Sequence, residues 1–224
     1  MSKLNVSGCW ATPMVTVQMP EPKAHCRALA EVLLGMEALG DRHRNAIRRE
    51  TQVRVFESRF DLHLQPQPEI RETFAFIHGA LASTVAQLSQ IPEGLWPRFR
   101  FNYHSWFHVT RHGGYQTSHT HPGHSWSGIF CVDPGDPPPE HPDSGRVRFN
   151  DPRGPVDMHL DGGNEFLRTP FQSEAVEVTH VPGQLVLFPS WLSHEVRPYF
   201  GQRPRIVIAF NAWVVIDGDN TVRG

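Results

Sequence analysis

The chain is poor in cysteine, with three in 224 residues. Cys9, Cys26 and Cys131 are odd in number and lack metal-type spacing. That argues against a disulfide framework and fits a reducing compartment. Long apolar runs are missing too: nothing approaches the roughly 20 residues of a membrane span. No basic segment leads into an apolar core near the start, so a signal peptide is not expected. A dominant charge is also lacking. The formal net charge is -2, which points away from nucleic-acid and anionic-membrane partners. The basic run Asp41–Arg49 reads as the solvated end of a helix. Composition is otherwise that of an ordinary globular protein, 39% hydrophobic and 20% charged,. The length fits one domain, and the expected location is the cytoplasm.

What the chain has is histidine. There are 14, and seven fall between His104 and His141. Around that stretch the organisation is clear. Pro22 can open a helix whose Leu29, Val32, Leu33 and Met36 recur at helical spacing until Gly40. A second helix is expected after Pro68, with Ile70, Phe74, Ile77, Leu81, Val85 and Leu88 as one apolar stripe. From Trp96 the texture changes to short strand-like runs between Gly, Pro and Asp turns. These runs are 99–109, 128–132, 146–149, 175–180, 184–188, 194–196 and 205–215. Many short strands of this kind predict a sandwich or barrel. The proline-rich stretch 133–140 cannot be a central strand, and 151–170 reads as a long loop able to act as a lid.

The motif that carries chemistry is Ser118-His119-Thr120-His121-Pro122, answered by His194 far downstream. Residues two apart on a strand share a face, so His119 and His121 can aim at one ion, with His194 closing the site from another strand. Imidazole suits iron, zinc, copper and nickel. Arg205 opens the last strand-like run. An inward arginine in an apolar strand needs an anion, either an acidic side chain or a ligand carboxylate, which its guanidinium fork would grip bidentately.

These residues together resemble the iron(II)- and 2-oxoglutarate-dependent oxygenases, most of all a bacterial and phage group with a His-x-His…His motif. That group carries a Trp-Phe segment and a His-x-His-Pro stretch leading into Ser-Gly-Val-Tyr-Tyr-Val. An Asp-Pro-Arg turn, Gly-x-Leu-Val-Leu-Phe-Pro-Ser-x-Leu-x-His-x-Val and Arg-x-Ser-Ile-Ala-Phe-Asn follow. This chain has Trp106-Phe107, His119-Thr120-His121-Pro122, Ser127-Gly128-Ile129-Phe130-Cys131-Val132, Asp151-Pro152-Arg153, the run Gly183–Val196 and Arg205–Asn211. The resemblance spans about residues 96–215.

The resemblance implies a mainly β fold with N-terminal helices. Its core would be a double-stranded β-helix (jelly-roll, cupin-like) buttressed by about two long helices. One domain would cover 1–224, with 1–95 a mainly helical buttress and 96–216 the β-helix. It implies Fe(II), 2-oxoglutarate as cosubstrate and O2. His119 and His194 would be iron ligands, and Arg205 the anchor of the cosubstrate's C5 carboxylate. His121 stands where most of the superfamily carries Asp or Glu; it would be a third ligand or lie behind the ligands, with His124 a weaker alternative. Trp106, His108, Tyr115, Ser127 and Arg153 are pocket candidates, and Trp191 is expected in the core. The partner implied is a small amino-acid-like or natural-product substrate, with a peptide side chain second. A homodimer is left open, and neither nucleic acid nor membrane is expected. Two rival readings share the barrel. One is a three-histidine cupin enzyme without 2-oxoglutarate, and the other a non-catalytic binding module; Arg205 speaks against the first and the intact histidine set against the second.

Overall fold

The computed structural model describes residues 8, 10–47, 50–154 and 161–218. Cys9, the Arg48–Arg49 end of the basic run and residues 155–160 of the long loop lie outside them. Helix α1 (Pro22–Ala38) and helix α2 (Pro68–Leu88) both begin at a proline. Proline costs least there, because the first N–H of a helix has no partner in any case. Each helix buries one stripe. In α1 it is Cys26, Leu29, Leu33 and Met36, and in α2 it is Ile70, Phe74, Ile77, Leu81 and Val85. These spacings of three and four put the stripe on one helical face.

Nine strands follow the order of the chain: β1 (Val15–Gln18), β2 (Gln52–Glu57), β3 (Phe99–His119), β4 (Trp126–Asp133), β5 (Val147–Phe149), β6 (Val176–Val178), β7 (Gln184–Pro189), β8 (His194–Tyr199) and β9 (Arg205–Ile216). They form one curled antiparallel sheet in the order β1-β7-β4-β9-β3-β8-β5-β6, with β2 also on β3. Side-chain alternation divides β9 between two cores. Ile206, Ile208 and Phe210 face the helices with Phe107, Phe130 and Leu185. Val207 faces inward with Ile129, Phe149, Val186 and Val196. The helices therefore cover the outer face, and the inner face is left to enclose a site.

Strand β3 supplies the curl. Its first half pairs with β9, from Phe99↔Ile216 to Thr110↔Arg205. Its second half leaves β9 for β8, ending at His119↔His194. The change comes at Gly113 and Gly114. Gly113 has φ +77°, and a Cβ on Gly114 would stand 2.8 Å from the Arg111 carbonyl oxygen and 2.9 Å from that of Arg54. Only glycine lets the backbones approach this closely.

The two helices and the strand-like runs appear where the periodicity predicts them, but β3 continues ten residues past the predicted end at Val109. The first 95 residues are not merely a helical buttress, because they also contribute β1 and β2. The alternation Gln52-Val53-Arg54-Val55-Phe56-Glu57 carries that signal for β2. The basic run leaves α1 as a short 3-10 turn, Gly40–Arg42, and the Arg44 guanidinium rests 4.5 Å from the Phe56 ring centre. No described helix is long and apolar enough to cross a membrane.

The β4 position beside the site tolerates only glycine. A Cβ at Gly128 would strike the Phe210 ring and stand 2.9 Å from Leu187 Cδ2. Gly128→Val should cost about 1–3 kcal/mol by overpacking and lower the melting temperature by about 3–10 °C, read by thermal unfolding. An unchanged melting temperature would contradict this packing.

Candidate metal centre

His119 and His194 meet because they are register partners across β3 and β8. Their ring centres are 4.4 Å apart, and that of His121 is 5.1 Å from His119 and 5.2 Å from His194. One ligand nitrogen from each can be chosen so that all three lie within 4.8 Å of one another. Nitrogens held about 2.1 Å from one ion lie at most about 4.2 Å apart, so the three rings need only a small inward adjustment to share one. His121 does not reach the cluster by strand alternation. β3 ends at His119, and His121 is placed by its own backbone, whose N–H donates to the Ser190 carbonyl at 2.9 Å. The segment preceding His194 thus also positions the second histidine.

Two of the rings are oriented from behind. His119 Nδ1 donates to the Thr117 carbonyl at 2.7 Å, and His194 Nδ1 to the Leu192 carbonyl at 2.9 Å. A carbonyl can only accept, so each Nδ1 carries a proton, which makes Nε2 the nitrogen suited to a metal. Metal-binding histidines are held in this way. His194 is 3% exposed, and burial, with neighbouring His119 adding, pulls its pKa down to about 4 against the Leu192 carbonyl. It is neutral at pH 7, as a ligand must be. His124 does not join the cluster. Its Nδ1 donates to the Pro122 carbonyl at 3.1 Å, and its Nε2 lies 3.1 Å from His104 Nδ1.

The three histidines and Arg205 line one cavity of about 510 Å³. Arg205 is 3% exposed. Among the described residues no carboxylate pairs with it, and its buried Nη2 has no hydrogen-bond partner. Burial lowers its pKa from the ordinary arginine value. Among the described residues, therefore, no protein acid explains this arginine.

Of the pocket candidates, Trp106, His108 and Ser127 line the cavity. Ser127 Oγ donates to Asn211 Oδ1 at 2.8 Å and shares a hydrogen bond with Ser190 Oγ at 2.9 Å. Tyr115 and Arg153 do not line it. Tyr115 faces away from its cavity-lining neighbour Gln116 by strand alternation, and Arg153 is exposed and held by Asp151 at 2.9 Å. Trp191 is not a core residue but 54% exposed, because the turn between β7 and β8 points it outward.

The sequence reading missed Glu57 of β2. It lines the cavity 7% exposed. Burial opposes its charge, but hydrogen bonds from His108, Gln52 and Asn45 outweigh that and hold the carboxyl at about 2. Trp106 Nε1 points at His108 Nε2 at 2.9 Å, and Glu57 Oε2 lies 3.1 Å from the same nitrogen. A polar residue inside the alternating β2 pattern was the available signal.

Residues 104–211 match the family model described as "Putative 2OG-Fe(II) oxygenase". No curated protein matches the chain. Among solved structures, a Pseudomonas putida prolyl-4-hydroxylase is similar at 18% identity and TM-score 0.59, covering 89% of this chain and 91% of its own. A Trichoplax adhaerens prolyl hydroxylase, solved with a hypoxia inducible factor peptide fragment, shares 11% identity and TM-score 0.58, with coverage of 89% and 83%. HygX from Streptomyces hygroscopicus, solved with nickel and 2-oxoglutarate bound, shares 12% identity and TM-score 0.55, with coverage of 90% and 83%. The fold is common to all three. The match over the β-core bears out the resemblance to the 2-oxoglutarate–Fe(II) oxygenases, which are oxidoreductases.

His194 makes the metal-free protein acid-sensitive. Its folded pKa is lowered to about 4 from 6.5, so the unfolded chain binds the proton first as pH falls. The His194 contribution is whole above pH 6.5 and is lost towards pH 4. At pH 5 the loss is on the order of 2 kcal/mol. Thermal unfolding of metal-free protein should show a lower melting temperature at pH 5 than at pH 7, with a smaller drop in His194→Gln. Equal drops in both proteins would contradict the assignment.

Proposed function

We propose that this chain is an Fe(II)- and 2-oxoglutarate-dependent dioxygenase, holding the metal on His119, His121 and His194 and the cosubstrate's C5 carboxylate on Arg205. The observation that carries this reading is that the histidine cluster and a buried arginine with no anionic partner among the described residues line one cavity. The residues present fit the groups implied. Three imidazoles gathered at one point suit a redox-active divalent ion, and a buried guanidinium suits a carboxylate.

When bound, iron and 2-oxoglutarate supply the oxidising chemistry, in which O2 converts the 2-oxo acid to succinate and CO2 and a C–H bond of the substrate is hydroxylated or otherwise oxidised. The chain's own residues bind, orient and exclude water. Thr117 and Leu192 aim His119 and His194. The Ser190 carbonyl holds the backbone of His121. Because His121 stands where most of the superfamily carries Asp or Glu, the protein would offer the metal three imidazole ligands and no carboxylate. Phe149 and Phe188 pack against the His194 ring, at 5.7 and 4.8 Å between centres, and keep that side of the site dry. A rival three-histidine enzyme without 2-oxoglutarate would have no use for a buried Arg205.

The substrate proposed is a small amino-acid-like or natural-product molecule. The cavity volume supports it, since about 510 Å³ falls in the range of small-molecule sites,. Among the described residues Glu57 is the one carboxylate in its lining, which favours a substrate with a basic nitrogen on that side. One domain over 1–224 in a reducing, cytoplasmic setting completes the reading, and the buried free thiols of Cys26 and Cys131 suit it.

Anaerobic addition of Fe(II) and 2-oxoglutarate should produce a visible charge-transfer absorption. Arg205→Ala should weaken 2-oxoglutarate binding roughly 10- to 150-fold, the loss of a hydrogen-bonded charge partner. His121→Ala should weaken Fe(II) binding by roughly 10- to 100-fold or more. No absorption in the wild type would refute cosubstrate binding, and unchanged Fe(II) affinity in His121→Ala would remove His121 from the ligands.

A further inference from the structure

We propose that His180 is a second binding residue for the distal carboxylate of the cosubstrate, acting beside Arg205. The inference rests on the 2-oxoglutarate reading above and adds a residue that the motifs did not mark. His180 lies between β6 and the turn that starts β7. That turn is pinned to the end of β4, where the Gly183 N–H donates to the Cys131 carbonyl at 2.8 Å. Cys131 is in register with Val207, two residues into β9 from Arg205. The topology therefore brings His180 to the end of the inner face where Arg205 stands, and the arginine's charge acts on its ring.

His180 is 6% exposed, and neither ring nitrogen has a hydrogen-bond partner among the described residues. Arg205 Nη2 is left in the same condition. Two buried side chains within electrostatic reach of each other, each with an unused donor, are costly unless something occupies them. A leucine would fill the His180 position without that cost, so packing alone does not account for an imidazole. Burial, with Arg205 adding, keeps the ring neutral by lowering its pKa to about 3. A neutral imidazole still carries one N–H to donate. The other titratable groups that act on Arg205 are a thiol and a phenol, Cys131 and Tyr199; burial pushes Cys131 up to about 12 and raises Tyr199 too.

A carboxylate accepts several hydrogen bonds, and Arg205 alone does not exhaust them. The family stretch Arg-x-Ser has its serine at the position of Val207 here, which lines the cavity and offers no donor. His180 does not line the open cavity, so a bound group meets it only by reaching the Arg205 end. A five-carbon 2-oxo diacid, chelating with its oxo-acid end at the histidines, presents its second carboxylate there.

The test compares two ligands on the Ni(II)-loaded protein, in which no turnover occurs. One is 2-oxoglutarate, and the other is 2-oxovalerate, which keeps the chelating end and has a methyl group in place of the distal carboxylate. Calorimetric titration should show His180→Leu weakening 2-oxoglutarate roughly 10-fold or more, the loss of one charge-assisted hydrogen bond. The affinity for 2-oxovalerate should stay unchanged. His180→Gln, which keeps an N–H, should recover part of the loss, and His180→Leu should melt no lower than wild type without ligand. Equal weakening of both ligands would overturn the proposal in favour of a structural role, and unchanged 2-oxoglutarate affinity in His180→Leu would overturn it outright. Arg205→Ala separates the two levels. If it weakens 2-oxoglutarate while His180→Leu does not, His180 fails alone; if Arg205→Ala has no effect, the carboxylate subsite and the cosubstrate reading fail together.

Discussion

Strand β3 serves two partners, β9 along its first half and β8 along its second, and it can do so because Gly113 and Gly114 let it cross from one to the other. That crossing curls the sheet and places His119 directly opposite His194. It also puts the start of β9, with Arg205, against Thr110 of the same long strand. A straight β3 would leave the two histidines on unrelated strands. The histidine end and the Arg205 end of the cavity are thus both referenced to one strand.

Around that strand the two faces of the sheet divide the labour. The outer face is sealed by α1 and α2 through a continuous apolar cluster. The inner face has its own smaller apolar cluster and the few polar groups that chemistry needs. Burial keeps His194 neutral and works against the charge of Arg205, whose Nη2 has no hydrogen-bond partner among the described residues. Buried charge without a partner is expensive, which is the ground for proposing an anion there. The same logic in reverse explains Glu57, whose charge is kept by hydrogen bonds from three side chains.

Much of this was legible in the sequence. Helix stripes at spacings of three and four survive in α1 and α2 because those helices need only one buried face. The triad was legible as His119, His121 and His194, although the reason given for His121 was wrong: a backbone bond to Ser190, not strand alternation, places it. Three things were hidden. The length of β3 was hidden because its Gly113-Gly114 bend reads locally as a strand end. Trp191 looked like core because an apolar residue in an apolar run carries no sign of which side of a turn it takes. His180 and Glu57 were hidden because their placement depends on non-local pairing, of β7 with β4 and of β2 with β3, which no local pattern records.

The most direct test of the central claim is anomalous diffraction at the iron edge from crystals loaded anaerobically with Fe(II) and 2-oxoglutarate. The account predicts one strong peak at bonding distance from Nε2 of His119 and His194 and from one ring nitrogen of His121, with cosubstrate density running from that peak to the Arg205 guanidinium. A peak elsewhere, or a carboxylate that bypasses Arg205, would contradict it.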